Sequence, residues 1–207
     1  AWSFGSTDAG KCTFSRKSAS DAKPMQVGPS GACLASVRPR ETDATTRVPR
    51  KARLYSSGIL RFRPANDDEG LHLVFQTDLE TYVAGLAEVP ETWPVEAMNA
   101  QVVASRSLAA WSLIEAGSEQ SFNQATRDSC HCNIRDDRSD QVYRGYTGEL
   151  DHPKWVGVSR ATAGEVITVS SALAYTPFFH SSAGWTENHA DVFSDQGYLH
   201  LRSVSDA

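Results

Sequence analysis

The sequence lacks several features that would fix its class at a glance. No run of 18 apolar residues occurs, so no segment reads as a membrane-spanning helix. The opening Ala-Trp-Ser-Phe-Gly-Ser-Thr-Asp has neither the basic start nor the apolar core of a signal peptide, so no export address is expected within it. A mature exported chain begins in the same way, and this absence does not point to the cytosol. No Cys-x-x-Cys is present, which removes the usual thiolate pair of a zinc site, and no Gly-x-Ser-x-Gly elbow marks a serine hydrolase. Internal repeats and low-complexity tracts are also missing. Positive charge is scarce where it would matter for nucleic acid: residues 54–207 hold 10 Lys/Arg against 21 Asp/Glu. Phosphate neutralisation by Lys and Arg supplies most such affinity, so no nucleic-acid partner is expected.

What remains is a globular composition. The 207 residues are 40% hydrophobic and 9% aromatic, enough for one good core. Residues 1–53 carry 10 Lys/Arg against 4 Asp/Glu, a basic front before an acidic body. Residues 1–52 are rich in Ser, Thr, Gly and Pro and show no sustained period, and they read as a loosely structured basic leader or lid. The four cysteines form two groups, Cys12 with Cys33 and Cys130 with Cys132. An even number suits an exported, disulfide-bonded protein; Cys12–Cys33 plus Cys130–Cys132 is the simplest pairing by sequence, and crossed pairs stay open.

From Arg53 the apolar residues alternate on either side of Pro64–Gly70, which predicts two strands joined by a turn. Asp78-Leu79-Glu80 leads into a short helix through Tyr82–Leu86. A long helix over about 94–116 follows, with Pro94 at its start, Glu96 in its first turn, and Val95, Met98, Val102, Ala109 and Leu113 at helical spacing before Gly117. Arg106 falls inside that apolar stripe, so it must be buried and paired. Residues 118–140 read as an exposed loop, 154–164 as a helix, 165–170 and 175–180 as two strands, and 198–204 as a further strand. The fold class expected is α+β: a single mixed domain over 53–207, a central helix packed on short strands, an open groove, and a continuation past Ala207.

Four stretches occur in a telling order: Leu86-Ala-Glu-Val-Pro-Glu-Thr-Trp-Pro-Val-Glu-Ala97 with Ala100-Gln-Val-Val-Ala-Ser-Arg106, then Gln141-Val-Tyr-Arg-Gly145, then Phe178-Phe-His-Ser-Ser-Ala-Gly-Trp-Thr-Glu187, then Tyr198-Leu-His-Leu-Arg-Ser-Val204. Together they resemble the SpoIID/LytB family of bacterial cell-wall proteins, over about residues 53–206. Asn99, Ala87 and Trp185 depart from that pattern, at places where Lys, Ser, and Gly or Arg are common.

Taken alone, Glu88 is an acid in a proline-containing turn, and such residues are as a rule solvated. The resemblance implies more: Glu88 as the catalytic acid of a peptidoglycan lytic transglycosylase, which breaks the MurNAc–GlcNAc bond and leaves a 1,6-anhydro-MurNAc end. One carboxyl suffices, because the sugar's own C6 hydroxyl attacks C1, and the apolar Leu86, Val89, Pro90 and Trp93 would raise its pKa. Around it the same resemblance implies a glycan groove shaped by Gln101, Arg106, Tyr143, His180, Ser181, Ser182 and Glu187, with Glu187 as the natural partner of Arg106. Trp93 and Tyr143 offer flat faces to sugar rings. Each has a bland reading: structural burial for Arg106, core packing for the two aromatics. Cys130-His131-Cys132 reads as disulfide-bearing, with zinc as the alternative. The partners implied are glycan strands and a wall amidase, without insertion into a membrane, at an extracytoplasmic, wall-associated or secreted location. The rival function is a non-catalytic wall-binding or amidase-enhancer module.

Overall fold

The computed structural model describes residues 53–64, 71–114, 130–193 and 197–206, together with the backbone of five short strands in the front segment. Three of those strands, β1 (Trp2–Ser6), β2 (Cys12–Arg16) and β3 (Met25–Gln26), form an antiparallel sheet of their own. The other two, β4 (Ala35–Val37) and β5 (Thr46–Val48), extend the body: β5 pairs with β6 (Arg53–Tyr55), and β4 pairs with β7 (Ile59–Pro64). Strand β7 also pairs antiparallel with β8 (Leu71–Gln76), Leu60 opposite Phe75 and Phe62 opposite Leu73, which gives the order β4-β7-β8. The alternation on either side of the Pro64–Gly70 turn is this hairpin; the turn itself lies outside the described residues, as do Cys33 and the Cys12 side chain.

Helix α1 (Leu79–Ala84) starts where Asp78 accepts hydrogen bonds from Thr81 N at 2.9 Å and Thr81 Oγ1 at 2.7 Å, satisfying a free N–H of the first turn. Helix α2 (Val95–Ile114) begins after Pro94, whose carbonyl accepts from Met98 N. Its buried residues include Met98, Val102, Ser105, Arg106 and Ala109, while Val95 and Leu113, expected in the stripe, are 44% and 47% exposed. The helix is covered through its middle and emerges at both ends. Helix α3 (Gly145–Asp151) lies on β6, with Leu54 N donating to Thr147 Oγ1 at 2.9 Å, and α4 (Pro153–Ala161) packs on α1 and α2. The core is formed by Tyr55, Leu60, Val83, Leu86, Met98, Val102, Tyr143, Trp155 and Val158. Burying such side chains, at about 25 cal/mol per Å² of apolar surface, is what holds three helices on the hairpin.

The last third departs from its sequence pattern. Where strands over 165–170 and 175–180 were expected, the chain forms only a two-residue pair, β9 (Thr168–Val169) with β10 (Ala172–Leu173). Residues 175–180 are irregular and are held to α2 by Thr176 Oγ1, which donates to Ala104 O at 2.8 Å, and by the ring of Tyr175 against Trp111. Helix α5 (His189–Phe193) follows. The 198–204 segment is likewise no strand, meeting its neighbour through an isolated bridge between Trp185 and Ser205. Side-chain bonds to backbone, such as Ser203 Oγ to Thr186 O at 2.6 Å, take the place of ladders there. The result is one α+β architecture of helices and short antiparallel strands.

Candidate acid site on the loop before the central helix

Glu88 sits on the loop joining α1 to α2, and its neighbours in the chain fix it. Leu86, Ala87 and Val89 are buried at 0%, 1% and 7% exposure, so the backbone on both sides is anchored in the core. Ala87 adopts φ +50°, a left-handed conformation that a non-glycine residue holds at a cost of about 1 kcal/mol. At the α1 end, a Cβ on Gly85 would meet the Tyr143 ring at 2.5 Å, so only glycine lets the loop approach that ring. Arg144 N donates to Gly85 O at 2.8 Å, tying the Gln-x-Tyr-x-Gly stretch to the same corner.

The Glu88 carboxyl is half-buried, and its Oε1 has no hydrogen-bond partner. Burial raises its pKa to about 7, with the Arg144 charge acting the other way. A carboxyl in this state is partly protonated near neutral pH and has no structural bond to give up when it donates. Tyr82 lies close enough for the Glu88 charge to add to the upward push that burial exerts on its phenol. Tyr82 donates to Gln141 Oε1 at 3.1 Å, and Gln141 Nε2 donates to Ser105 O at 3.2 Å, so a buried polar chain runs from α1 to α2.

Arg106 is fully buried and paired, as its position required, but its partner is not Glu187. Its Nε and Nη2 clasp the Glu80 carboxylate at 3.0 and 2.9 Å, Nη1 donates to Thr162 Oγ1 and Glu165 O, and Nη2 to Ser159 O at 2.8 Å. Every direction of the planar fork is used, so Arg106 joins α1, α2 and α4 and offers no free N–H to a sugar. Glu187 is exposed, in the segment that meets residues 202–206. Nothing in a sequence shows which of two acids an arginine will meet, and here it is the packing of α1 on α2 that selects Glu80.

The other expected residues divide. Tyr143 is 6% exposed and stacks on Tyr82 with centroids 5.3 Å apart and on Phe75 at 5.6 Å, so its ring is core and no open sugar platform. Trp93 is 43% exposed on the same loop as Glu88. Gln101 is partly exposed and donates to Ser105 Oγ one turn on. His180, Ser181 and Glu187 are exposed and Ser182 half-exposed, with Ser182 bonded to Asp206; this segment hangs on the second half of α2, while Glu88 precedes the first turn of that helix. Cys130 and Cys132 are joined as a disulfide with Cα atoms 5.2 Å apart. Among the described residues no three of His, Cys, Asp and Glu converge in a manner that would hold a metal. A cavity of about 540 Å³ opens between α2 and the end of α4, lined by Asn99, Val103, Thr162, Glu165 and Ile167 among others. Glu88 is not among the residues that line it.

Three residues beyond the sequence reading matter for the loop. Arg144 supplies the nearby positive charge, Tyr82 the adjoining phenol, and Glu91 accepts hydrogen bonds from Lys154 N and Trp155 N. Arg144 and Glu91 stand in stretches already quoted, and Tyr82 in the short helix expected before them, but Glu91 carries no signal of its own. No helix among the described residues is long and apolar enough to cross a membrane.

No curated protein sequence matches the chain. Residues 67–169, from between β7 and β8 to β9, match the SpoIID family, described as "Stage II sporulation protein", and that span contains Glu88, Arg106 and helices α1 to α4. The chain therefore belongs, through about half its length, to the SpoIID family, whose function is tied to the cell wall and sporulation.

Proposed function

We propose that this protein is a peptidoglycan lytic transglycosylase acting on wall glycan strands outside the cytoplasm, with Glu88 as its single acid/base. The observation that carries the reading is the Glu88 carboxyl itself: half-buried between anchored apolar neighbours, one oxygen without a partner, and a pKa pushed up to about 7. The protonated carboxyl gives its proton to the glycosidic oxygen, which leaves as the GlcNAc O4 hydroxyl while the C1–O bond breaks. The MurNAc C6 oxygen forms the new bond to C1, and its proton passes to the Glu88 carboxylate. No water is consumed, and the acid returns to its starting state. Trp93, exposed beside the loop, is the flat face offered to a sugar, and Arg144 the charge that steadies the carboxylate between the two proton transfers.

Wild type and Glu88→Gln, incubated with glycan strands with and without stem peptides, test this by mass spectrometry for 1,6-anhydro-MurNAc ends. Product from wild type and none from Glu88→Gln is the expected result. No product from wild type on either substrate sinks the enzymatic reading; equal product from both proteins sinks the role of Glu88. A second reading, a non-catalytic wall-binding or amidase-enhancer module, is favoured by one observation: Gln141 and Tyr143, family-like residues, are spent on packing. Wall binding and amidase stimulation that survive in Glu88→Gln would support it.

A further inference from the structure

Glu91 belongs to the loop that carries Glu88, and its side chain leaves that loop to end on another element. One carboxylate oxygen accepts from Lys154 N at 3.0 Å and the other from Trp155 N at 3.1 Å, the N–H groups of the first turn of α4 that no helical carbonyl reaches. Lys154 returns the contact: its Nζ donates to the carbonyl oxygens of Glu91 and Trp93. Next to it, the fully buried Trp155 donates Nε1 to Val83 O at 2.9 Å, so the start of α4 also grips the end of α1. The loop is thus held at both ends by one helix N-terminus, and between the two grips lies Ala87 with its left-handed backbone. A conformation of that kind persists only where its surroundings over-determine it.

We propose that Glu91 is a positioning residue for Glu88: its carboxylate, clamped on the first turn of α4, holds the loop in the shape that keeps the Glu88 carboxyl against apolar surroundings and out of water. The inference rests on the reading of Glu88 as acid/base, yet the clamp can be measured without activity. Loss of the clamp lets Ala87 relax to an ordinary backbone, and Glu88 swings toward solvent. Burial then no longer disfavours its charge, and its pKa drops toward the usual carboxylate value. A fall of about one unit leaves roughly a tenth of the acid protonated at pH 7 instead of half, about a five-fold loss of turnover at pH 7 that approaches about ten-fold at higher pH, with KM little changed.

The test is a carboxyl NMR titration of Glu88 in wild type, Glu91→Ala and Glu91→Gln, run beside a pH profile of anhydro-end formation. Glu91→Gln keeps one acceptor for the α4 amides and rescues part of the effect. Ser107→Ala, which removes the acceptor of Ile167 N at a site distant from the loop, serves as a variant of comparable thermal destabilisation. The expected result is a Glu88 titration midpoint lowered in the order wild type, Glu91→Gln, Glu91→Ala, with Ser107→Ala unchanged. A Glu91→Gln protein that titrates like wild type overturns the proposal, even where Glu91→Ala fails to fold, as does an equal shift in Ser107→Ala. Absence of product from wild type would strike the acid/base reading alone, since the titration stands without turnover.

Discussion

Glu88 and Arg106 are two charged side chains at opposite ends of the same problem, how to keep a titratable or ionic group inside a fold. Arg106 is solved completely: no exposure, and every N–H directed at the Glu80 carboxylate, the Thr162 hydroxyl or a carbonyl oxygen. Glu88 is left unsolved, with an unpartnered oxygen and a pKa displaced upward by burial. A group whose hydrogen bonds are all spoken for stabilises a structure and has nothing to give a substrate. One kept partly dry and unpaired weakens the structure at high pH and is free to exchange a proton. Frame and proposed reactive centre thus lie within one stretch of sequence.

Glu88→Gln should abolish anhydro-end formation, a loss of ~10²–10⁴-fold by product mass spectrometry, while its urea midpoint stays level with wild type or above it. Arg106→Met should do the reverse, lowering stability by about 3 kcal/mol in urea melts, because Thr162 and the carbonyls of Ser159 and Glu165 lose their donor. Part of the ion pair itself counts for less, since the Glu80 side chain is 42% exposed and screened by water. Unchanged stability in Arg106→Met would overturn its assignment as frame.

The pH dependence sharpens the contrast. Glu88 binds its proton more tightly folded, at about 7, than unfolded, at 4.5, so the native state holds the extra proton between those values. Stability should therefore fall as pH rises through that window, with a ceiling of about 3 kcal/mol that solvent access to a half-buried carboxyl reduces to roughly 1–2. In Glu88→Gln that slope should vanish, and a slope that persists would place the titration elsewhere. The smallest effect is expected of Tyr82→Phe, which leaves Gln141 Oε1 without its donor: about 1 kcal/mol of stability in thermal melts. It should also shift the Glu88 titration slightly, since the phenol stands between the two regions.

The sequence was informative where local chemistry decides structure. Pro94 and Glu96 mark the start of α2 because a helix leaves its first N–H groups unpaired, and the β7–β8 alternation reads directly as a hairpin. Burial of Arg106 followed from helical periodicity alone. Its partner did not, because Glu80 and Glu187 are equivalent on paper and only the packing of α1 on α2 chooses between them. Glu91 was invisible for a like reason: its bonds to Lys154 and Trp155 cross from the loop to a helix far along the chain. The expected strands at 175–180 and 198–204 did not form: Tyr175 and Tyr198 turn onto one another and onto Trp111 of α2, while Phe179, Leu199 and Val204 stay exposed, so no apolar face is left for a ladder to bury. Tyr143 looked like a sugar platform because an aromatic is flat in either setting, and only the approach of Gly85 shows which face is taken.

The Arg106 cluster also sets how the molecule opens. Glu80 belongs to α1, Ser159 to α4 and Thr162 to the turn that ends it, and one guanidinium on α2 is shared among them. Detaching α1 or α4 leaves N–H groups of Arg106 without acceptors inside the core, and detaching α2 takes the shared donor from both of the others. The three therefore open together rather than one at a time, and under the proposed function the motion that admits a glycan chain falls to the loops around this block.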